Sequence, residues 1–150
     1  MEYVVETREL TRAFGSFIAV GKLNIKIKPG EIYGFLGPNG AGKSTAIRML
    51  CGILEPSSGS ANILGYDLLL ETEKIKKQIG YMSQKFSLYE ELTVLENLDF
   101  YAGIYGIPRK ERQSRIRDMI ALAGLIGRER EPITNLSGGF RQRLALSCAI

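Results

Sequence analysis

The chain has 150 residues, 45% of them hydrophobic and 24% charged, with a formal net charge of +4 and no histidine. That length suits one domain able to bury a core without disulfides or a structural metal. No apolar run approaches the ~20 residues that span a bilayer. The acids Glu2 and Glu6 stand where a secretory leader carries basic residues. A cytoplasmic chain that does not itself cross the membrane is therefore expected, with Cys51 and Cys148 as reduced, buried thiols. Histidine-based catalysis is excluded within these residues.

In chain order, Tyr3 to Thr7 reads as an opening strand. Leu23, Ile25 and Ile27 alternate with Asn24, Lys26 and Lys28, the period of a half-buried strand. Pro29-Gly30 turns the chain into a short apolar run of strand length, Ile32 to Leu36. Next comes Gly37-Pro38-Asn39-Gly40-Ala41-Gly42-Lys43-Ser44-Thr45, which matches the G-x-x-x-x-G-K-[ST] phosphate-binding loop without substitution. Ile47, Leu50, Cys51 and Leu54 then recur as one face of a helix would.

Strand, glycine loop and helix in that order give the pattern a mechanism. Glycines let backbone N–H groups close around a polyphosphate without Cβ clashes. The helix start adds about half a positive charge aimed at the same anion. Lys43 is placed to reach the β- and γ-phosphates and the Ser44 hydroxyl to complete a Mg²⁺ shell. The loop predicts binding of a nucleoside triphosphate.

Beyond it, Pro56 to Gly59 reads as a turn, Ser60 to Leu64 as a strand, and Ile79 to Met82 as a third apolar run ending at Ser83-Gln84. Helical character follows. Thr93 with Glu96 forms a capping box opening a helix through Tyr105. Gly106-Ile107-Pro108 breaks it, and a second helix runs to about Ala123 with Gly124 as C-cap. The cluster Pro108 to Asp118, basic but diluted by acids, reads as a solvated helix face, with an anionic lipid or nucleic-acid surface as the other reading. Gly127 to Asn135 is a charged connection. Ser137-Gly138-Gly139 then opens a third helix with Phe140, Leu144 and Ser147 or Cys148 on one side. A Ser-Gly-Gly start is common as a plain N-cap. Its physics also repeats that of the first loop: backbone N–H groups, a hydroxyl and a helix N-terminus.

Together these features resemble the nucleotide-binding domain of ATP-binding cassette (ABC) transporters. In the family's order stand Phe14 in Ala13-Phe14-Gly15, the Walker A loop Gly37 to Thr45, Gln84, and the signature Leu136 to Phe140. The resemblance implies that Phe14, otherwise readable as a core aromatic, stacks on adenine. It implies that Gln84 touches Mg²⁺ or the attacking water. Ser137, Gly138 and Gly139 would close on the nucleotide of a second nucleotide-binding domain. The run Phe86, Leu88, Tyr89, Leu92 and Val94 is either helical-segment core or a groove for a membrane-spanning transporter subunit.

Phe140 departs from the commonest signature, which has glutamine there, and with Arg141-Gln142-Arg143 it resembles the branch driving ABC-2-type and drug exporters. The expected fold is α/β: a P-loop NTPase (RecA-like) core with an N-terminal antiparallel β subdomain over 1–90. A helical subdomain follows over 91–136, then the signature helix over 137–150. The resemblance also places a Walker B aspartate, a glutamate base and a switch histidine beyond residue 150. An incomplete domain, exposing sheet edges and not competent as an ATPase alone, is expected.

The function so implied is MgATP-driven movement of a substrate by a protein peripheral to the inner face of the cell membrane, with no nucleic acid as partner. Three alternatives are a soluble ABC-family ATPase acting on ribosomes or nucleic acid, an unrelated P-loop kinase or GTPase, and a non-catalytic nucleotide-binding protein. The stretch from Gln84 to Ser137 is too short for the coiled coils of DNA-repair members. The signature helix and Gln84 argue against the kinase or GTPase.

Overall fold

The computed structural model describes residues 2–84 and 88–150. It divides into two compact units, one ending at Ile79 and the other running Gly80–Ile150.

The first unit contains β1 (Val5–Phe14), β2 (Phe17–Leu23), β3 (Lys26–Ile27), α1 (Lys43–Leu50), β4 (Ser58–Ile63), β5 (Tyr66–Asp67) and α2 (Thr72–Lys76). Its sheet has the order β2-β1-β4-β5, with β3 also on β1 and every pairing antiparallel. The long β1 is the organising strand. Its start pairs with β3 and β4, and its end folds back on β2 through the two-residue turn Gly15-Ser16. Buried Thr7 locks the crossing, donating from Oγ1 to the Leu23 carbonyl and accepting from Ile25 N–H. Met49 of α1 packs into a core of Leu10, Ala61, Ile63, Leu68 and Ile75.

Three expectations for this unit are corrected. The run Ile32 to Leu36 belongs to no strand, and Ile32 and Leu36 are almost wholly exposed. A strand is defined by its ladder, and among the described residues this run has no partner. Of the alternating segment 23–28, only Lys26 and Ile27 form β3, because Asn24 turns aside to bond Glu9. On α1 the buried residues are Ala46 and Met49, while Ile47 is exposed and the helix ends before Cys51. Leu50 and Leu54 still pack against the core, so the inward face is centred on Ala46 and Met49 and leaves Ile47 outside it.

The second unit is helical: α3 (Val94–Ile104), α4 (Arg109–Ala123), a 3₁₀ turn (Ile133–Asn135) and α5 (Gly138–Ala149). Ile79 to Met82, read from sequence as a third apolar run, is not strand. The capping box forms as expected: Thr93 N–H donates to Glu96 and Glu96 N–H donates to Thr93 Oγ1. Gly124 caps α4 at φ 69°, in the left-handed region. Leu98, Ile116, Ile120, Leu125, Leu144 and Cys148 meet in the core. α4 buries Ile116 and Ile120 and presents most of its charges to solvent, while half-buried Arg112 donates from Nε to the Ile107 carbonyl at 2.7 Å. Burial pushes the Cys148 thiol up to about 12, so it stays protonated at neutral pH. Cys51 is only partly buried.

Asn97 is the polar centre of this unit. Fully buried, it accepts from Tyr89 N–H at 2.9 Å and donates to the carbonyls of Tyr89 at 3.1 Å and Thr93 at 3.0 Å. It therefore holds the segment entering α3. Asn97→Ala is expected to cost roughly 2–3 kcal/mol, since those backbone groups lose their partner away from water. A denaturant midpoint equal to that of the parent protein would refute this.

Among the described residues no helix is long and apolar enough to cross a membrane.

Candidate functional site: the phosphate loop and the signature helix

The glycines that the loop requires adopt the backbone that only glycine tolerates well: φ is 151° at Gly37, 84° at Gly40 and 79° at Gly42. Pro38 and Ala41 close a turn, Ala41 N–H donating to the Pro38 carbonyl at 3.3 Å. Gly42 is the N-cap of α1, and no side chain caps that helix start. No acidic residue stands in its first turn. The first-turn N–H groups and the helix dipole therefore point outward with no competing anion. Lys43 Nζ lies over the loop, donating to the carbonyls of Gly37 at 2.7 Å and Pro38 at 2.6 Å. Ser44 is exposed beside it, and Thr45 is half-buried.

The loop is fixed to the β-hairpin. A Cβ at Gly42 would stand 2.2 Å from the Ala19 carbonyl oxygen and 3.1 Å from Val20 Cγ2. Through that contact the phosphate loop leans on β2, and the hairpin partner of β2 carries Phe14, opposite Phe17. Phe14 is 48% exposed, so it is not a core aromatic. The Arg12 guanidinium lies 4.5 Å from its ring centroid. Sequence reading passed over Arg12, although its place two residues before Phe14 on one strand puts both on one face.

In the second unit Gln84 is exposed. Ser137 is the N-cap of α5 with extended backbone, and its hydroxyl makes no capping bond. Gly138 and Gly139 are exposed, and a Cβ on either would meet nothing within 4 Å. Arg141 fixes the approach to this helix. Its Nε donates to the carbonyls of Ile133 and Leu136, both at 3.1 Å, and its Nη2 to that of Thr134 at 2.7 Å. Phe140 is half-buried between core and charge, with the guanidinium carbons of Arg143 and Arg128 at 4.4 and 4.9 Å from its ring.

The apolar run after Gln84 divides. Val94 is core and Leu88 packs against it, whereas Tyr89 is exposed and meets Phe100 edge-on at 4.6 Å. Phe86 lies outside the described residues. A cavity of about 220 Å³ is lined by Tyr81, Met82, Leu88, Tyr101, Tyr105 and Cys148.

Among the described residues no group of three or more His, Cys, Asp or Glu could hold a metal by itself. That donor set suits Mg²⁺ carried by phosphates, which needs only one or two protein oxygens and keeps its waters. Ser44 offers one such oxygen at the mouth of the loop.

The family model described as ABC transporter matches residues 20–150. The chain belongs to the ABC transporter family. It is 47% identical over 149 residues to the "Probable multidrug ABC transporter ATP-binding protein YbhF" of Escherichia coli, covering 99% of this chain and 26% of that protein. It is 40% identical over 148 residues to the methionine import ATP-binding protein MetN of Geobacillus kaustophilus, covering 96% of this chain and 43% of that one. Among solved structures, cbiO1 of Clostridium perfringens, part of the ABC transporter complex cbiONQ, superposes with a TM-score of 0.86. It is 27% identical and spans 99% of this chain and 61% of its own. The ABC fold, α/β with an antiparallel sheet and a helical segment, is thereby shown. The chain spans about a quarter to a half of the length of the curated relatives it matches.

Proposed function

We infer that this chain supplies the ATP-binding half-sites of a transporter ATPase, and that hydrolysis in a dimer drives substrate across a membrane. The observation that carries this is the phosphate loop: three glycines at positive φ, an uncapped helix start and Lys43 folded over the loop. An ammonium held by carbonyl dipoles and a row of unpaired N–H groups suits a polyphosphate and little else. Residues Gly37 to Thr45 hold the phosphates, Phe14 receives the base, and the Ser44 hydroxyl would supply an oxygen to Mg²⁺. When bound there, Mg²⁺ would neutralise charge that develops on the phosphate oxygens. Lys43 does the same from the protein side.

Ser137, Gly138 and Gly139 act on a second domain's nucleotide. Packing within the chain requires no glycine at 138 or 139, whereas close approach of a foreign phosphate does. The Ser137 hydroxyl, which makes no capping bond to α5, supports the same reading. By this reading a β and P-loop part runs over 1–90, a helical part over 91–136 and the signature helix over 137–150. The aromatic cavity beside Tyr101 and Tyr105 suits an apolar segment of a membrane subunit, which would hold the protein on the cytoplasmic face of the membrane. Export is favoured by the multidrug name of YbhF and by Phe140 in the signature. The import name of MetN makes direction the weaker part of the proposal.

The test is MgATP turnover by the full-length protein beside Lys43→Ala. Removing one charge-stabilising donor typically costs 10²–10³-fold, and a loss of about that size is expected. A rate that does not depend on Lys43 would overturn the assignment of the site.

A further inference from the structure

We propose that Arg12 is a positioning residue for the nucleotide base, holding the Phe14 ring from one face so that the base stacks on what remains exposed. This rests on the nucleotide-binding reading above. Arg12 sits where β1 is irregular: its pairing with β2 shifts register on both sides, between Leu10 and Arg12 and between Arg12 and Ala13. Such irregularities re-aim a side chain. Here the side chain is aimed along the strand at Phe14, with the guanidinium carbon 4.5 Å from the ring centroid.

The guanidinium has an unusual set of partners. Nη1 donates to the Glu55 carbonyl at 2.8 Å, and Nε is buried with no hydrogen-bond partner. Among the described residues Arg12 pairs with no carboxylate. A half-buried cation so placed has the face of an aromatic ring as its chief remaining compensation. An arginine serving only to fasten two segments would be expected to use more of its five donors. Leaving Nε without a partner while the plane lies on Phe14 fits a group whose task is the ring.

The anchor also has a meaningful address. Glu55 belongs to the segment that leaves α1, the helix whose N-terminus is the phosphate loop. Ser57 in the same segment accepts from Ala13 N–H at 3.0 Å. Arg12 and Ser57 thus tie the strand bearing Phe14 to the far end of the phosphate-loop helix. The ring is set at a fixed place relative to the loop, on an exposed hairpin end where an unheld phenyl would sample several rotamers.

Equilibrium binding of two probes by the full-length protein separates this role from a structural one. MgATP has a base and magnesium tripolyphosphate has none. For Arg12→Gln we expect MgATP binding to weaken about 3–10-fold, with tripolyphosphate binding within about twofold of the parent. Arg12→Lys, which keeps a cation over the ring, should recover most of the loss, and Phe14→Ala should lose at least as much as Arg12→Gln.

Equal weakening of both probes would show that Arg12 merely supports the loop, and would overturn the proposal. So would parental MgATP affinity in Arg12→Gln alongside a loss in Phe14→Ala. If the parent protein binds neither probe, or binds MgATP with no dependence on Lys43, the nucleotide reading itself falls and Arg12 falls with it.

Discussion

Gly42→Ala is expected to abolish measurable MgATP binding and turnover, and to lower stability by about 3–5 kcal/mol. Two independent effects meet at this residue. Its φ of 79° lies where a side chain is strained, and the added Cβ would stand 2.2 Å from the Ala19 carbonyl oxygen. The offending neighbour is backbone of β2, paired to β1 in the sheet, so it cannot swing aside as a flexible side chain would. The chain must yield at the loop instead. Gly42 is also the N-cap of α1, so relief of the clash displaces the N–H groups that face the phosphates. Loss of binding and loss of stability should therefore appear together, by titration with MgATP and by chemical denaturation. A variant that binds MgATP like the parent would show that the contact with Ala19 can relax and that the hairpin does not hold the loop.

Gly80→Ala should be the most damaging single methyl in the second unit. The Cβ would fall 1.8 Å from the Ala149 carbonyl oxygen and 2.9 Å from its carbonyl carbon. Both are backbone atoms of the last turn of α5. Overpacking of this kind costs about 3 kcal/mol or more when no side chain can move. For a chain of this size that lowers the melting temperature by about 6–12 °C or more. Thermal unfolding followed by circular dichroism measures it. The effect should spread along α5 to Ser137, so ATP turnover should fall even though residue 80 touches no nucleotide. An unchanged melting temperature would mean that Gly80 and α5 are not in close contact.

Much of the site was legible without coordinates because its chemistry is local. The phosphate loop needs particular glycines at particular intervals, and its positive-φ positions 37, 40 and 42 are all glycine. The capping box of Thr93 and Glu96, the C-cap at Gly124 and the break at Gly106 to Pro108 are likewise contacts within a few residues. Helices α3, α4 and α5 could be placed from them.

Pairing and close approach were not legible, because they depend on residues distant in the chain. Ile32 to Leu36 reads as a strand by composition, yet among the described residues nothing supplies its ladder. Ile47 looks inward by periodicity, but α1 turns Ala46 and Met49 to the core. Gly80 carries no local mark at all; only the arrival of Ala149 makes a methyl intolerable there. The sequence by itself determined the family resemblance, the start of α3 and the end of α4, and the expectation that the glycine loop binds phosphate. Only the tertiary structure decided that Gly42 lies against Ala19, that Arg12 faces Phe14, and that Asn97 satisfies the entry to α3. Each of those is a contact or a side-chain direction that the folded backbone sets, and a linear pattern records what a residue can do, not what comes to stand beside it.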